Sequence, residues 1–357
     1  MADNFDISGL ALESIFPTNH ILTDDKGLPS VMVYIPKFKM SEVIDGASDS
    51  THPAFIVDGV EISGIYISKY QNITYNSRAY SLPCKDPASG VKADTARTYC
   101  ESKGTGWHLM SAMEWGAIAL WCMKNGWLPY GNNNYGLDSR ETFRKGIPTN
   151  TDSSGNICRI ATGSGPVEYS HNKQLDGIYD LNGNILEWAD GMRFVYGELQ
   201  ILANNNSADS ANSKLDTSSA WMAIDGTTGE LIEPDGSGTT SNSLKLDYIS
   251  SKWTWITGTI SGTKGTYYCK FGAITTDDTV CDEAKEILYA LALLPDDTTF
   301  DYEGNCPYLK NDNSESLPAR GGAYCDGKYT GVFFANLNRF RYSYGNVGFR
   351  CAYYEAN

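Results

Sequence analysis

The residue types that most often do chemistry are thinly spread along this chain. Four histidines are present, His20, His52, His108 and His171, and none is spaced from another as in an H-x-x-x-H zinc site. The nine cysteines, at 84, 100, 122, 158, 269, 281, 306, 325 and 351, contain no C-x-x-C pair, so zinc ribbons and thioredoxin-like centres lack their ligands. They read instead as free, mostly buried thiols. No G-x-S-x-G elbow and no phosphate-cradling loop occurs. Asp180, Asn182 and Asn184 alternate through a turn with Glu187 just beyond, and hard oxygens at that spacing could hold calcium. The same residues also build turns through side-chain-to-backbone hydrogen bonds.

The chemistry that stands out is recognition. Between 320 and 350 the chain crowds Tyr324, Tyr329, Phe334, Phe340, Tyr342 and Tyr344 together with Arg339, Arg341, Asn, Ser and Gly, and has few aliphatics. Tyrosine gives large contact area at low conformational-entropy cost, Asn and Ser give adaptable hydrogen bonds, and aromatics with Arg dominate interface hot spots. Alternation through 339–344 places one set of side chains on a common face of an extended segment. Both Tyr342 and Tyr344 are then expected to be removable without loss of stability.

The elements that must position this segment can be read coarsely. The chain has 357 residues, 41% of them hydrophobic, 12% aromatic and 20% charged. That suits one large domain with an insertion and excludes wholesale disorder. The net charge of −15 argues against phosphate-neutralising nucleic-acid binding. There is no run of eighteen apolar residues and no basic-then-apolar leader, so neither membrane insertion nor a secretory signal is expected. Residues 1–29 read as an arm or assembly segment. Residues 31–36 and 60–70 are strand-like, 93–100 are helix-spaced, and Ser111 with Glu114 forms a capping box before a helix ending at Gly126. Residues 130–175 read as irregular loop. Residues 195–305 read as an insertion with strands and one helix near 282–294, stopped by Pro295.

Three local motifs carry a family resemblance. Residues 177–188, with the core LNGNILEW, resemble the G-N-x-x-E-W signature of the formylglycine-generating, sulfatase-modifying group. Arg320-Gly321-Gly322 and Gly348-Phe349-Arg350 resemble its closing R-G-G and G-F-R-C elements. The resemblance covers roughly 30–194 and 317–351. It implies an α+β chain with the C-type lectin fold of the formylglycine-generating type, with few short helices, much irregular loop and an inserted β-rich subdomain. The division implied is an arm at 1–29, a lectin-like domain at 30–194 and 306–357, and the insertion at 195–305.

Enzymes of the group require a paired-cysteine, copper-ligating site soon after R-G-G. Here only Cys325 stands in that stretch, Tyr329 and Thr330 lie where a second cysteine would be sought, and Cys351 follows G-F-R. The chain is therefore expected not to be an enzyme and to carry no resident cofactor, with calcium at the 180–187 turn as the exception that the spacing there allows. Residues 331–341 followed by G-F-R are more similar to the variable region of diversity-generating retroelement proteins. In that family a reverse transcriptase copies a template with errors at adenines, so AAC codons become NNC. NNC cannot encode Lys, Glu, Gln, Met or Trp, and from 321 to 350 the one such residue is Lys328. The resemblance nominates Tyr324, Cys325, Asp326, Gly327, Tyr329, Phe334, Asn336, Arg339, Phe340, Tyr342, Tyr344 and Gly345 as diversified ligand-binding positions. It leaves Gly331, Val332, Phe333, Leu337, Gly348, Phe349 and Arg350 as scaffold. It implies a receptor-binding protein of a phage particle, recognising a protein or glycan on the host bacterial surface, with other virion proteins as further partners and no nucleic acid. A copper-dependent enzyme and a carbohydrate-binding module of fixed specificity are the alternatives.

Overall fold

The computed structural model describes residues 4–262, 267–296 and 299–355. It is a mixed α+β structure, mostly sheet, with few helices among the described residues. A five-stranded antiparallel sheet runs in the order Asn19–Thr23, Pro29–Pro36, Gly64–Ser68, Cys351–Tyr353, Trp107–Leu109. Its C-terminal strand lies between strands from the first third of the chain: Ala352 is opposite Ile67 on one side and His108 on the other. A second sheet has the order Tyr267–Tyr268, Tyr308–Leu309, Gly331–Asn336, Ala319–Gly321, Leu186–Trp188, Val347–Phe349. Both of its faces are covered. Phe333 and Ala335 enter one hydrophobic core, and Phe334 enters another with Leu186, Trp188, Ala319, Val347 and Phe349. A strand buried on both faces reads as a continuous apolar run, as GVFFAN does.

The helix Ala112–Lys124 forms as its capping box predicts. The Ser111 hydroxyl accepts from the Glu114 amide at 3.0 Å, and the Glu114 carboxylate accepts from the Ser111 amide at 2.9 Å. The helix Asp282–Ala290 ends short of the expected position. Ala292 adopts φ +50°, and the Leu293 amide reaches back to the Leu288 carbonyl at 2.9 Å, a Schellman closure that stops the helix before Pro295. The two helices meet at Gly116, where a Cβ would stand 1.9 Å from the Ala290 carbonyl oxygen. The 195–305 segment thus packs into the common core rather than beside it. Most of its strands join a third sheet that also takes in Met192–Val195, and Tyr267–Tyr268 extends the second sheet. At the other end, residues 19–23 of the expected arm are a sheet edge strand, preceded by a helix, Asn4–Ile15. The helix was not legible because Gly9 and a weak apolar period interrupt it.

The motif residues are structural. Arg350 and Glu187, both buried, make a bidentate pair: Nε donates to Oε2 at 2.9 Å and Nη2 to Oε1 at 2.8 Å. Two further guanidinium protons go to the carbonyls of Ser68 and Tyr179. Gln71 donates to Glu187 Oε1 at 3.0 Å and accepts from Asn184 at 2.9 Å. The G-F-R and L-N-G-N-x-x-E-W motifs are therefore two halves of one buried polar network joining both sheets.

Candidate ligand-binding face

Two connections frame the face. After Ala319–Gly321 the chain leaves the second sheet through Gly321 and Gly322, both with φ above +80°, makes a short turn at Gly327–Tyr329, and returns as Gly331–Asn336. A Cβ at Gly322 would stand 2.1 Å from Thr330 Cγ2, so the return is closed tightly. Residues 337–346 then run back along the sheet to Val347–Phe349, and Tyr324, Tyr344 and Tyr308 pack against the core cluster holding Phe334.

Most nominated residues lie on this face. Tyr329 is 40% exposed and Tyr342 67% exposed, and Cys325 and Gly345 are exposed. Tyr324, Asp326, Gly327, Arg339, Phe340 and Tyr344 are partly exposed. Phe340 and Tyr342 pair at 6.0 Å between ring centroids. The Arg339 guanidinium sits 4.5 Å from the Tyr344 ring centroid, makes no ion pair among the described residues, and its Nε is left without a partner. Apart from the buried Nε, its partly exposed guanidinium carries donors open to a ligand. Asp326 accepts from the Ala323 amide at 2.8 Å, and burial pushes its carboxyl up. Gly327 has φ +59°, so replacements there are strained except for residues such as Asn and Asp.

Two nominations are corrected. Phe334 is 1% and Asn336 6% exposed, because strand Gly331–Asn336 is covered on both faces. Phe334 is core, and Asn336 Oδ1 accepts from the Asn338 amide at 3.0 Å to turn the chain. Tyr344 differs from Tyr342. Its ring lies 6.1 Å from that of Trp188 and its hydroxyl accepts from the Phe340 amide at 3.0 Å, so it pins the loop. Tyr342→Ala is expected to change stability by no more than about 0.5 kcal/mol. Tyr344→Ala should cost about 2 kcal/mol through lost aromatic packing and an orphaned amide, as read by chemical denaturation. Arg341 is likewise tied down, by a bidentate pair with Glu315 and a contact to Asp94 at 2.8 Å.

The sequence reading missed three tyrosines. Tyr268, 47% exposed, lies opposite Tyr308 in the sheet, with ring centroids 4.7 Å apart, and stacks on Tyr329 at 5.0 Å. Burial, with Asp326 nearby, pushes the Tyr268 phenol up to about 12. Tyr135 meets Tyr324 edge-on at 5.8 Å. No local signal marks these residues; only the pairing of residues 267–268 with 308–309 brings the insertion to this face.

The alternating turn is occupied by its own hydrogen bonds. Asn184 Oδ1 accepts from the Ile160 amide at 2.9 Å, Asn182 Oδ1 accepts from the Thr330 hydroxyl, and Glu187 is held by Arg350. No cluster of three or more His, Cys, Asp or Glu side chains suited to a metal occurs among the described residues. Asp180 is the exception to the satisfied set. It is fully buried at φ +63°, Oδ2 accepts from the Gly163 amide at 2.8 Å, and Oδ1 has no partner. Burial raises its carboxyl to about 6. The folded state thus favours the protonated acid, and the stability this contributes is complete below pH 4 and is lost as pH rises through 6. Asp180→Asn keeps the left-handed backbone and stays neutral. It should be more stable than the parent at pH 8, by about 3 kcal/mol for a shift of this size, with the gap closing by pH 4 in thermal melts.

No family model matches the chain, and no curated protein matches it. Solved structures similar to it include two that match over nearly its whole length. PvdO from Pseudomonas aeruginosa is 14% identical, with a TM-score of 0.31, over 94% of this chain and 98% of that one. Treponema denticola variable protein 1 is 11% identical, with a TM-score of 0.32, over 95% of this chain and all of that one.

Proposed function

We propose that the chain is a diversified ligand-binding protein of the diversity-generating retroelement group, built on a C-type lectin fold of the formylglycine-generating type. The observation that carries this reading is a separation. Residues nominated as variable, apart from Phe334 and Asn336, line one exposed tyrosine-rich face, while Gly331, Val332, Phe333, Leu337, Gly348, Phe349 and Arg350 are all buried. Such a division lets recognition residues change without disturbing the core. The face has hot-spot chemistry: exposed tyrosines, a guanidinium free of ion pairs and a carboxyl.

Binding rather than catalysis also fits Cys325. It is the one cysteine soon after R-G-G, and Tyr329 and Thr330 stand where the second ligand of a copper pair would be sought. The target we propose is a protein or glycan on a bacterial surface, with the chain carried on a phage particle. Sequencing the DNA around the gene tests this. A near-copy of the codons for 318–351, differing where the copy has adenine and lying beside a reverse transcriptase gene, is the expected result. Its absence, with an invariant segment across sibling isolates, would leave a module of fixed specificity.

A further inference from the structure

The insertion carries a cleft of about 530 Å³ outside the tyrosine face, lined among others by Tyr196, Ser241, Asn242, Lys245, Thr259 and Asp312. Its size is that of a small-molecule site. Tyr196 and Gly197 form the two-residue turn joining Met192–Val195 to Glu198–Ile201, with φ +47° and +85°. A turn with both central residues left-handed favours Asn-Gly, and a bulky aromatic in the first position costs of order 1 kcal/mol or more. The side chain is 46% exposed and borders the cleft. An aromatic held there against local preference is a candidate for a functional side chain.

The wall beside Tyr196 is pre-organised, with Gly238 packed against its turn. Residues 235–243 are Ser/Thr/Gly-rich, yet two carboxylates hold them from beneath. Asp235 accepts from the Ser237 and Thr239 amides. Buried Glu198 accepts from the Thr240 amide at 3.0 Å and the Ser243 hydroxyl at 2.7 Å. A rigid wall lowers the ordering cost of binding.

The charges in the cleft are already satisfied. The Lys245 ammonium donates to the Thr240 carbonyl and to the carbonyl and hydroxyl of Ser243, and Asp312 pairs with Lys310 at 3.1 Å. What remains open is neutral: the side chains of Ser241, Asn242 and Thr259 are exposed and make no hydrogen bond among the described residues. An exposed aromatic face beside neutral hydroxyl and amide groups fits a polyhydroxylated ring. The polarised C–H bonds of such a ring meet the negative π-face, and its hydroxyls exchange hydrogen bonds with the rim.

We propose that this cleft is a second, non-diversified site that binds a neutral saccharide. The test uses the full chain, with glucose, galactose, mannose and their N-acetylamino counterparts at millimolar concentration, followed by amide NMR shifts and calorimetry. At least one of these sugars is expected to bind, with shifts centred on Tyr196, Ser241 and Thr259. Tyr196→Asn, which suits the turn and should preserve or raise the melting temperature, is expected to weaken binding by roughly tenfold or more. Tyr342→Ala should leave the sugar affinity unchanged. The proposal is overturned if no sugar of the panel binds, if Tyr196→Asn binds as the parent does, or if the shifts centre on Tyr329 and Tyr342. The last result would place sugar recognition on the variable face instead.

Discussion

Arg350→Met should lower stability by about 3–5 kcal/mol, a large share of the 5–15 kcal/mol that holds a typical domain folded. The reason is not the value of the ion pair itself, because desolvating two charges offsets much of their attraction. It is that Glu187, 1% exposed, would be left in a buried site with both of its guanidinium donors gone. The Ser68 and Tyr179 carbonyls would lose their partners as well. Combining Arg350→Met with Glu187→Gln should recover part of the loss, since the orphaned charge is then removed. Urea unfolding of the three variants reads this directly. A single-variant cost below about 1 kcal/mol would mean that the network does not join the sheets as described.

The opposite outcome is expected on the exposed face. A variant with Cys325→Ser, Tyr329→Ala, Phe340→Ala and Tyr342→Ala should melt within a few degrees of the parent, because these side chains pack against no core cluster. Its retention on host cells should fall by roughly 100-fold or more, since hot-spot tyrosines are each worth about 2 kcal/mol or more and these are adjacent. Flow cytometry of labelled protein on intact cells provides the measurement. Tyr268→Ala is the informative companion. It lies in the insertion, outside the segment copied in the proposed mechanism, yet stacks on Tyr329 at 5.0 Å. Weaker cell binding with unchanged folding would make the insertion a fixed part of the recognition surface. Unchanged cell binding in the four-residue variant would remove the face from recognition altogether.

Much of this was legible in the chain because it is local. The Ser111–Glu114 box and the tyrosine-rich composition of 320–350 are properties of neighbouring residues; the box opens the helix Ala112–Lys124, and Tyr329 and Tyr342 are exposed. The family resemblance also nominated Phe334 and Asn336 as ligand-binding positions, and this failed because a motif match cannot say whether both faces of a strand are covered. The segment 337–346 and Tyr308 cover the face that holds Phe334. Tyr342 and Tyr344, two apart and alike in sequence, part company for a similar reason: one meets Trp188 and a backbone amide, the other meets solvent.

What the sequence determined by itself was the class of chemistry: a tyrosine, arginine and asparagine segment without a nucleophile–base pair or metal spacing, tied to motifs whose residues turn out to be buried. What only the tertiary structure decided was which side chains share a surface. Tyr268 lies 61 residues before Tyr329, and Glu187 lies 163 before Arg350. Contacts at such separations come from strand pairing and core packing, which depend on where distant apolar faces find cover rather than on any local period.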